Sequence, residues 1–277
     1  MSKRVLVIGA HSYIGSSFID FCNKYCPRKY TVDARNIRDD AWKQLSFAEY
    51  DAILDCVGLA HTPERKRTEG QFYKVNRDLA IEVACKAKAD GVSQFILISS
   101  MSVYGKQEGG ISKSTVPSPV SAYGKSKLAA DCAIERLADE RFAFACLRPP
   151  MVYGKGCKGN YNKLRKIALN VPVFPSVDNS RSMVYIGNLC DCIDGVIEQG
   201  RGGLFFPQNA EYVSTTRLVE LIAREHGRTI RQTSVFNGAI EHLPVSSAKK
   251  AFGSLWYEMG DESERFSLEE SVHLTEA

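Results

Sequence analysis

Two side chains four residues apart, Tyr123 and Lys127 in the run Tyr-Gly-Lys-Ser-Lys, have the types and spacing to move a proton at a carbon that exchanges hydride. On a helix that spacing is one turn, so both lie on one face. An ammonium beside a phenol favours the phenolate, which takes a proton from a hydroxyl or returns one. Alone, the pair describes any exposed helix. Ser100 adds weight. It sits in Ser99-Ser100-Met-Ser102-Val-Tyr-Gly105, directly after the apolar run Gln94 to Ser99. A hydroxyl at a strand end can hydrogen-bond the same substrate oxygen and stabilise developing charge.

Hydride chemistry needs a carrier, and the amino-terminal segment offers a place for one. Arg4 to Ile8 reads as a short buried strand, and a helix is expected from about Ser12 to Cys22. Between them runs Gly9-Ala-His-Ser12-Tyr-Ile-Gly15. A turn from strand to helix rests a dinucleotide pyrophosphate on the helix N-terminus. Gly9 permits the tight turn, Gly15 permits close packing, and the amides of Tyr13 and Ile14 are expected to face phosphate oxygens. Ser12 replaces the usual middle glycine; it narrows the approach but offers a hydroxyl. Asp33, ending a second strand, is the expected ribose acceptor, and Arg35 close behind suits a 2′-phosphate. NAD is expected, with NADP possible.

Positioning these groups takes alternating elements. Strands are expected at Tyr30 to Asp33, Ala52 to Val57, Gln94 to Ser99 and Phe142 to Leu147. Helices are expected at Gln71 to Ala89, capped by Gly91, and at Tyr123 to Leu137. This pattern predicts a doubly wound parallel sheet covered on both faces, with ligands beyond the carboxyl ends of the strands. After Pro150 the alternation weakens. Gly154 to Gly159 is a Gly/Lys loop, Met183 to Ile186 and Leu204 to Phe206 read as strands, and Thr215 to Glu225 as a helix. The polar tail from Asp261 is expected to be partly mobile.

Bulk composition excludes several classes. Of 277 residues, 44% are hydrophobic and 25% charged, which suits a globular chain with a sizeable core. The net charge of +4 has no basic block behind it, arguing against nucleic acid. No run approaches the ~20 apolar residues of a membrane span. The basic and apolar start flows into a glycine turn rather than a cleavage site, so a cytoplasmic protein is expected. Cys22 with Cys26 and Cys190 with Cys192 lack the second half of a zinc pattern, so the nine cysteines are read as small apolar residues and no metal is expected. Glu64 to Arg67 reads as a solvated charged loop, His11 as a side chain facing solvent, and His61 as a weak substrate candidate.

The motifs together resemble the extended short-chain dehydrogenase/reductases, in their nucleotide-sugar epimerase/dehydratase family. The resemblance is carried by Gly9 to Gly15, Cys56-Val57-Gly58-Leu59, Val75-Asn76, Ser99 to Gly105, Tyr123 to Lys127 and Leu147-Arg-Pro-Pro-Met-Val-Tyr-Gly154. It implies a Rossmann-type domain over 1–150 plus about 182–209. A small carboxyl-terminal substrate-binding lobe would take 151–181 plus 210–277. It makes Ser100, Tyr123 and Lys127 catalytic, with Lys127 also holding nicotinamide ribose. It brings Cys56, Val57, Gly58, Asn76 and Pro150 to the cofactor. Asn160, with Asn162 close behind, and Arg181 would meet the diphosphate of a nucleotide sugar; arginine donates two parallel hydrogen bonds to phosphate. The helices around 71–89 and 123–137 would form a four-helix homodimer contact.

This chain departs from the family at Met151, where an asparagine is usual, and at Ser182, where an aspartate is usual. The leading expectation is a nucleotide-sugar 4-epimerase. A 4-keto reductase of a nucleotide-linked 6-deoxy-hexulose uses the same residues and is the alternative. A redox sensor without catalysis is the reading from another class.

Overall fold

The computed structural model describes residues 2–37, 39–60, 62–235, 252–260 and 264–277. His61 and Asp261, singled out above, lie outside them. The chain forms two compact units.

The first unit comprises Met1–Gly105, Pro117–Pro149 and Cys190–Pro207. Its strands are β1 (Lys3–Ile8), β2 (Tyr30–Arg35), β3 (Ala52–Asp55), β4 (Gln94–Ile98), β6 (Ala143–Leu147) and β10 (Gly203–Phe205). They make one parallel sheet in the order β2-β1-β3-β4-β6-β10. The chain leaves β1 for β2 on one side and returns to β3 on the other. The order therefore reverses at β1, and a crevice opens at the carboxyl ends there. Helices α1 (Tyr13–Tyr25), α2 (Lys66–Tyr73), α3 (Ala80–Ala89) and α4 (Ala122–Glu135) connect the strands.

The sheet core follows from continuous apolar runs. Leu6, Ile8, Ile53, Phe95, Leu97 and Phe144 form one buried cluster with Val83, Ala84 and Ala87 of α3 and Ala130 and Ile134 of α4. Their alternates Val5, Val7, Leu54, Ile96 and Ala145 are equally buried, as a strand covered on both faces requires. Each fully buried aliphatic side chain contributes about 1.5–3 kcal/mol of transfer free energy. The expected single helix from Gln71 to Ala89 is interrupted. Lys74–Leu79 forms a wide π turn between α2 and α3. The extra residue of such a turn shifts the helical phase, and Asn76, within it, is completely buried.

The second unit comprises Lys106–Val116, Pro150–Leu189 and Gln208–Ala277. It carries three two-stranded parallel pairs: β5 (Gly109–Ile111) with β12 (Leu255–Tyr257), β7 (Met151–Tyr153) with β9 (Met183–Tyr185), and β8 (Val173–Pro175) with β11 (Arg231–Thr233). Its helices are α5 (Asn160–Asn170), α7 (Thr215–Glu225) and α8 (Leu268–Glu276), while α6 (Ile186–Glu198) runs on into the first unit. The described part of the tail forms α8. Ser267 caps α8, and Leu268, Ser271 and Val272 are buried. Glu276 accepts hydrogen bonds from Tyr161 Oη at 2.9 Å and Arg165 Nε at 2.6 Å, and contacts His226 Nε2 at 2.7 Å. A polar composition hid this because the anchoring groups are themselves polar. Among the described residues, no helix is long and apolar enough to cross a membrane.

Candidate active site

The glycine turn closes β1 onto α1. Gly9 adopts φ +93°, a conformation glycine tolerates and side chains rarely do. A Cβ on Gly15 would lie 2.5 Å from the Gly9 carbonyl oxygen, so only hydrogen fits there. Ser12 is the N-cap of α1: its Oγ accepts the Gly15 N–H at 3.1 Å. Such a cap is worth about 1 kcal/mol. The same hydroxyl also lies within hydrogen-bonding reach of the Cys56 thiol. Tyr13 and Ile14 open the helix, so their amides belong to the unpaired first turn.

A cleft of about 860 Å³ lies at the reversal of strand order. Gly9, His11 and Ser12 line it after β1, Asn36, Ile37, Asp39 and Asp40 after β2, and Val57, Gly58 and Leu59 after β3. Lys74, Val75, Asp78, Leu79 and Glu82 close the helix side. Its size and the glycine cradle fit a dinucleotide.

Strand β2 runs two residues past Asp33, to Arg35, so Asp33 sits inside the strand opposite Leu6. Its carboxylate is bound by Arg4 Nη2 and Tyr50 Oη, both at 3.1 Å, and the Arg4 hydrogen bond holds it below the usual carboxylate range. Asp33 is not part of the cleft lining, and neither are Ser100, Tyr123 and Lys127; Asn36, Asp39 and Asp40 line it after β2. Lys43 beside them is already paired with Asp40 and Glu82, each at 3.0 Å.

The chemistry-bearing residues converge through α4. Ser121 caps it, accepting the Gly124 N–H at 3.0 Å. Glu64 supplies a second cap: its carboxylate oxygens accept the N–H groups of Ala122 and Tyr123, each at 3.2 Å. Sequence reading took Glu64 for part of a solvated loop. A carboxylate suits a helix N-terminus, but sequence separation hides which helix it serves. A Cβ on Gly124 would meet Ser102 O at 2.6 Å, so this glycine lets α4 lie directly on the turn that follows β4. Tyr123, next to it, packs edge-on against Phe72 with ring centroids 6.3 Å apart.

Lys127 is buried, and its Nζ donates to Ile98 O at 2.8 Å and Val57 O at 3.4 Å. A Cβ on Gly58 would lie 3.1 Å from that Nζ, so the Cys56–Leu59 turn needs glycine to let the ammonium approach. Asn76 braces the same turn. Its Oδ1 accepts the Leu59 N–H at 2.7 Å and its Nδ2 donates to Ser126 Oγ at 3.1 Å. Burial pushes the Cys56 thiol up, so it stays neutral. Asp55, at the end of β3, is also buried; desolvation raises its carboxyl to about 6, against the Val57 N–H and the Lys127 charge.

Ser100 Oγ accepts the Ser102 N–H at 3.1 Å, capping the short 3₁₀ turn Met101–Tyr104. Beneath it lies a network sequence reading missed. Ser99 Oγ donates to Asp131 Oδ2 at 2.8 Å, Arg148 Nε reaches the same oxygen at 3.0 Å, and Arg148 Nη1 donates to Tyr104 Oη at 2.7 Å. Asp131 is two helical turns beyond Tyr123, a spacing that in principle marked it.

In the second unit, Pro150 is half-buried, between β6 and β7. Asn160 is the exposed first residue of α5, whose N-terminus has no side-chain cap. Asn162 is taken: its Nδ2 donates to Cys157 O at 2.7 Å. Arg181 is partly desolvated, which lowers its guanidinium from the usual value, and its Nη1 donates to Gly253 O at 2.5 Å. No carboxylate pairs with it among the described residues. Ser182, in the usual aspartate place, donates to Gln208 Oε1 at 2.6 Å. All nine cysteines are free.

A cofactor cradle at a strand-order reversal, with a tyrosine and a lysine on the adjoining helix, defines a dinucleotide-dependent class. The chain belongs to the NAD dependent epimerase/dehydratase family, whose model matches residues 5–205. It is 27% identical over 250 residues to UDP-glucose 4-epimerase of Vibrio cholerae, covering 80% of this chain and 76% of that one. It is 25% identical over 209 residues to N-acetyl-alpha-D-glucosaminyl-diphospho-ditrans,octacis-undecaprenol 4-epimerase of Escherichia coli O157:H7, covering 70% of this chain and 62% of that one. Its fold matches UDP-glucuronic acid 4-epimerase of Bacillus cereus in complex with NAD at a TM-score of 0.76 and 18% identity, over 99% of this chain and 95% of that one.

Proposed function

We propose that the chain is an NAD-dependent nucleotide-sugar 4-epimerase, acting at C4 of a nucleotide-diphospho-hexose. The observation that carries this reading is the seating of α4. One helix presses its first turn on the Ser100 turn through Gly124 and sends Lys127 to the Val57–Gly58 wall of the cleft. A bound NAD would supply the hydride acceptor and donor for the sugar carbon.

The residues of the chain do the rest. The Tyr123 hydroxyl takes the proton of the C4 hydroxyl and later gives one back. Ser100 donates a hydrogen bond to the same oxygen, where charge develops. Lys127, whose ammonium reaches the Val57–Gly58 wall, holds ribose hydroxyls. Ser12 and the first amides of α1 hold the pyrophosphate. In the second unit, Arg181 and Asn160 hold the substrate diphosphate. The likeness to two named 4-epimerases supports the epimerising outcome over a 4-keto reductase. A homodimer through α2, α3 and α4 belongs to the same proposal, and light scattering at micromolar concentration tests it.

The experiment is a screen of UDP-, GDP- and dTDP-hexoses against protein as purified, with its cofactor identified by mass. Retained NAD and turnover without added reductant are expected, and Tyr123→Phe lowers turnover by about 10²–10⁴-fold. A need for added NADPH would replace the epimerase with the reductase. Undiminished turnover in Tyr123→Phe would refute the assigned chemistry.

A further inference from the structure

Asp55 is a buried carboxyl that the proposed chemistry leaves without a task. It ends β3 at the cleft and is 1% exposed. Ile53, two residues back on the same face of the strand, belongs to the cluster packed with α3 and α4. Asp55 therefore faces the α4 side. Its Oδ1 accepts the Val57 N–H at 2.9 Å. Its Oδ2 is buried without a hydrogen-bond partner among the described residues.

The charge acting on this carboxyl is the Lys127 ammonium. Lys127 is itself 4% exposed, and its hydrogen bonds go to the carbonyls of Ile98 and Val57, which carry no net charge. Two other groups share the field. Cys56 is kept neutral by burial, and Asp131, farther along α4, is bound to Arg148. An apolar side chain at position 55 would avoid the desolvation of an acid. The acid is placed where it can act on the wall that meets the cofactor.

We propose that Asp55 is a positioning residue that sets the charge of the nicotinamide end of the cleft, balancing Lys127 and favouring the oxidised, cationic nicotinamide over the reduced, neutral one. This rests on NAD occupying the cleft and is independent of which sugar reacts. A fixed negative charge in a layer of low dielectric attracts the cationic ring and leaves the neutral ring unaffected. The preference is present while the carboxyl is ionised, above about pH 6, and is lost as pH falls through that value.

The test is a pair of affinities on the full chain: NADH by fluorescence titration and NAD+ by competition, at pH 8 and pH 5. Taking their ratio cancels effects common to both forms, and Asp55→Asn isolates the contribution of this carboxyl. The wild-type preference for NAD+ is expected to fall about tenfold between pH 8 and pH 5. Asp55→Asn keeps an acceptor for the Val57 N–H and is expected to show the lower preference at both pH values. A wild-type ratio independent of pH, or an Asp55→Asn ratio equal to wild type at pH 8, overturns the proposal. If that variant does not fold, the wild-type series decides alone. A barren sugar screen with the ratio intact would sink the epimerase reading only. Failure to bind either form would sink the cofactor reading and this inference together.

Discussion

Replacing Asp131 by Asn should destabilise the first unit by about 3–5 kcal/mol, the range for removing one partner of a buried ion pair. The side chains of Arg148 and Asp131 are 10% and 4% exposed. Burial opposes the Arg148 charge, yet Asp131 holds the guanidinium above its ordinary value. Without the carboxylate, Arg148 loses its ion pair with Asp131 and keeps its hydrogen bond to the Tyr104 hydroxyl. Urea unfolding is the assay, and a loss of this size moves the midpoint by about 1 M or more. The double variant Asp131→Leu with Arg148→Met separates stability from positioning. Removing both charges should recover much of the stability, since an apolar pair of similar volume is often neutral. It should still lower kcat, because Ser99 and Tyr104 lose the partners that fix the Ser100 turn. A single variant within about 1 kcal/mol of wild type would refute the energetic reasoning. A double variant with unchanged kcat would refute the positioning.

Two further outcomes follow from packing and protonation. Gly124→Ala places a methyl 2.6 Å from Ser102 O, so α4 must shift from the Ser100 turn; turnover should fall about tenfold or more while NAD binding, read by fluorescence, holds. The Glu276 carboxyl is raised by burial but held lower overall by His226, Arg165 and Tyr161, so its stabilisation is complete above its unfolded value of 4.5 and lost as pH falls below it. Hydrogen exchange should show α8 opening on acidification below about pH 4, and Glu276→Gln, losing about 2 kcal/mol, should open it already at pH 7. Exchange of α8 that is independent of pH would remove Glu276 as its clamp.

The parallel sheet was legible because Val5, Ile53 and Phe95 sit in continuous apolar runs that only a strand covered on both faces requires. The glycine turn and the Tyr123–Lys127 pair were legible because their geometry is local. The end of β2 was less legible: nothing nearby stops the strand, which continues to Arg35 and places Asp33 against Arg4 and Tyr50. Glu64, Asp131 and Arg148 were not legible as a set. Each acts across the fold, and pairwise distance in sequence carries no sign of it. The second unit was the least legible. Its strands are three residues long, too short for a period, and its core is tied by hydrogen bonds among Tyr153, Ser271 and Asn209.

The choice between epimerising and reducing a sugar carbon therefore turns on the cofactor cleft more than on Tyr123. Both reactions need the same proton donor and acceptor, so α4 serves either. They differ in what the resting protein must hold. A 4-epimerase rests with oxidised cofactor and regenerates it within each turnover, whereas a reductase must bind reduced cofactor and release the oxidised form. The proposed Asp55 charge beneath the cleft wall biases the cleft toward the cationic ring. That bias opposes a cycle that must bind reduced cofactor. Asp55 does not touch the sugar in the proposed mechanism, so the ratio of NAD+ to NADH affinity reads the cofactor cycle on grounds independent of the named relatives.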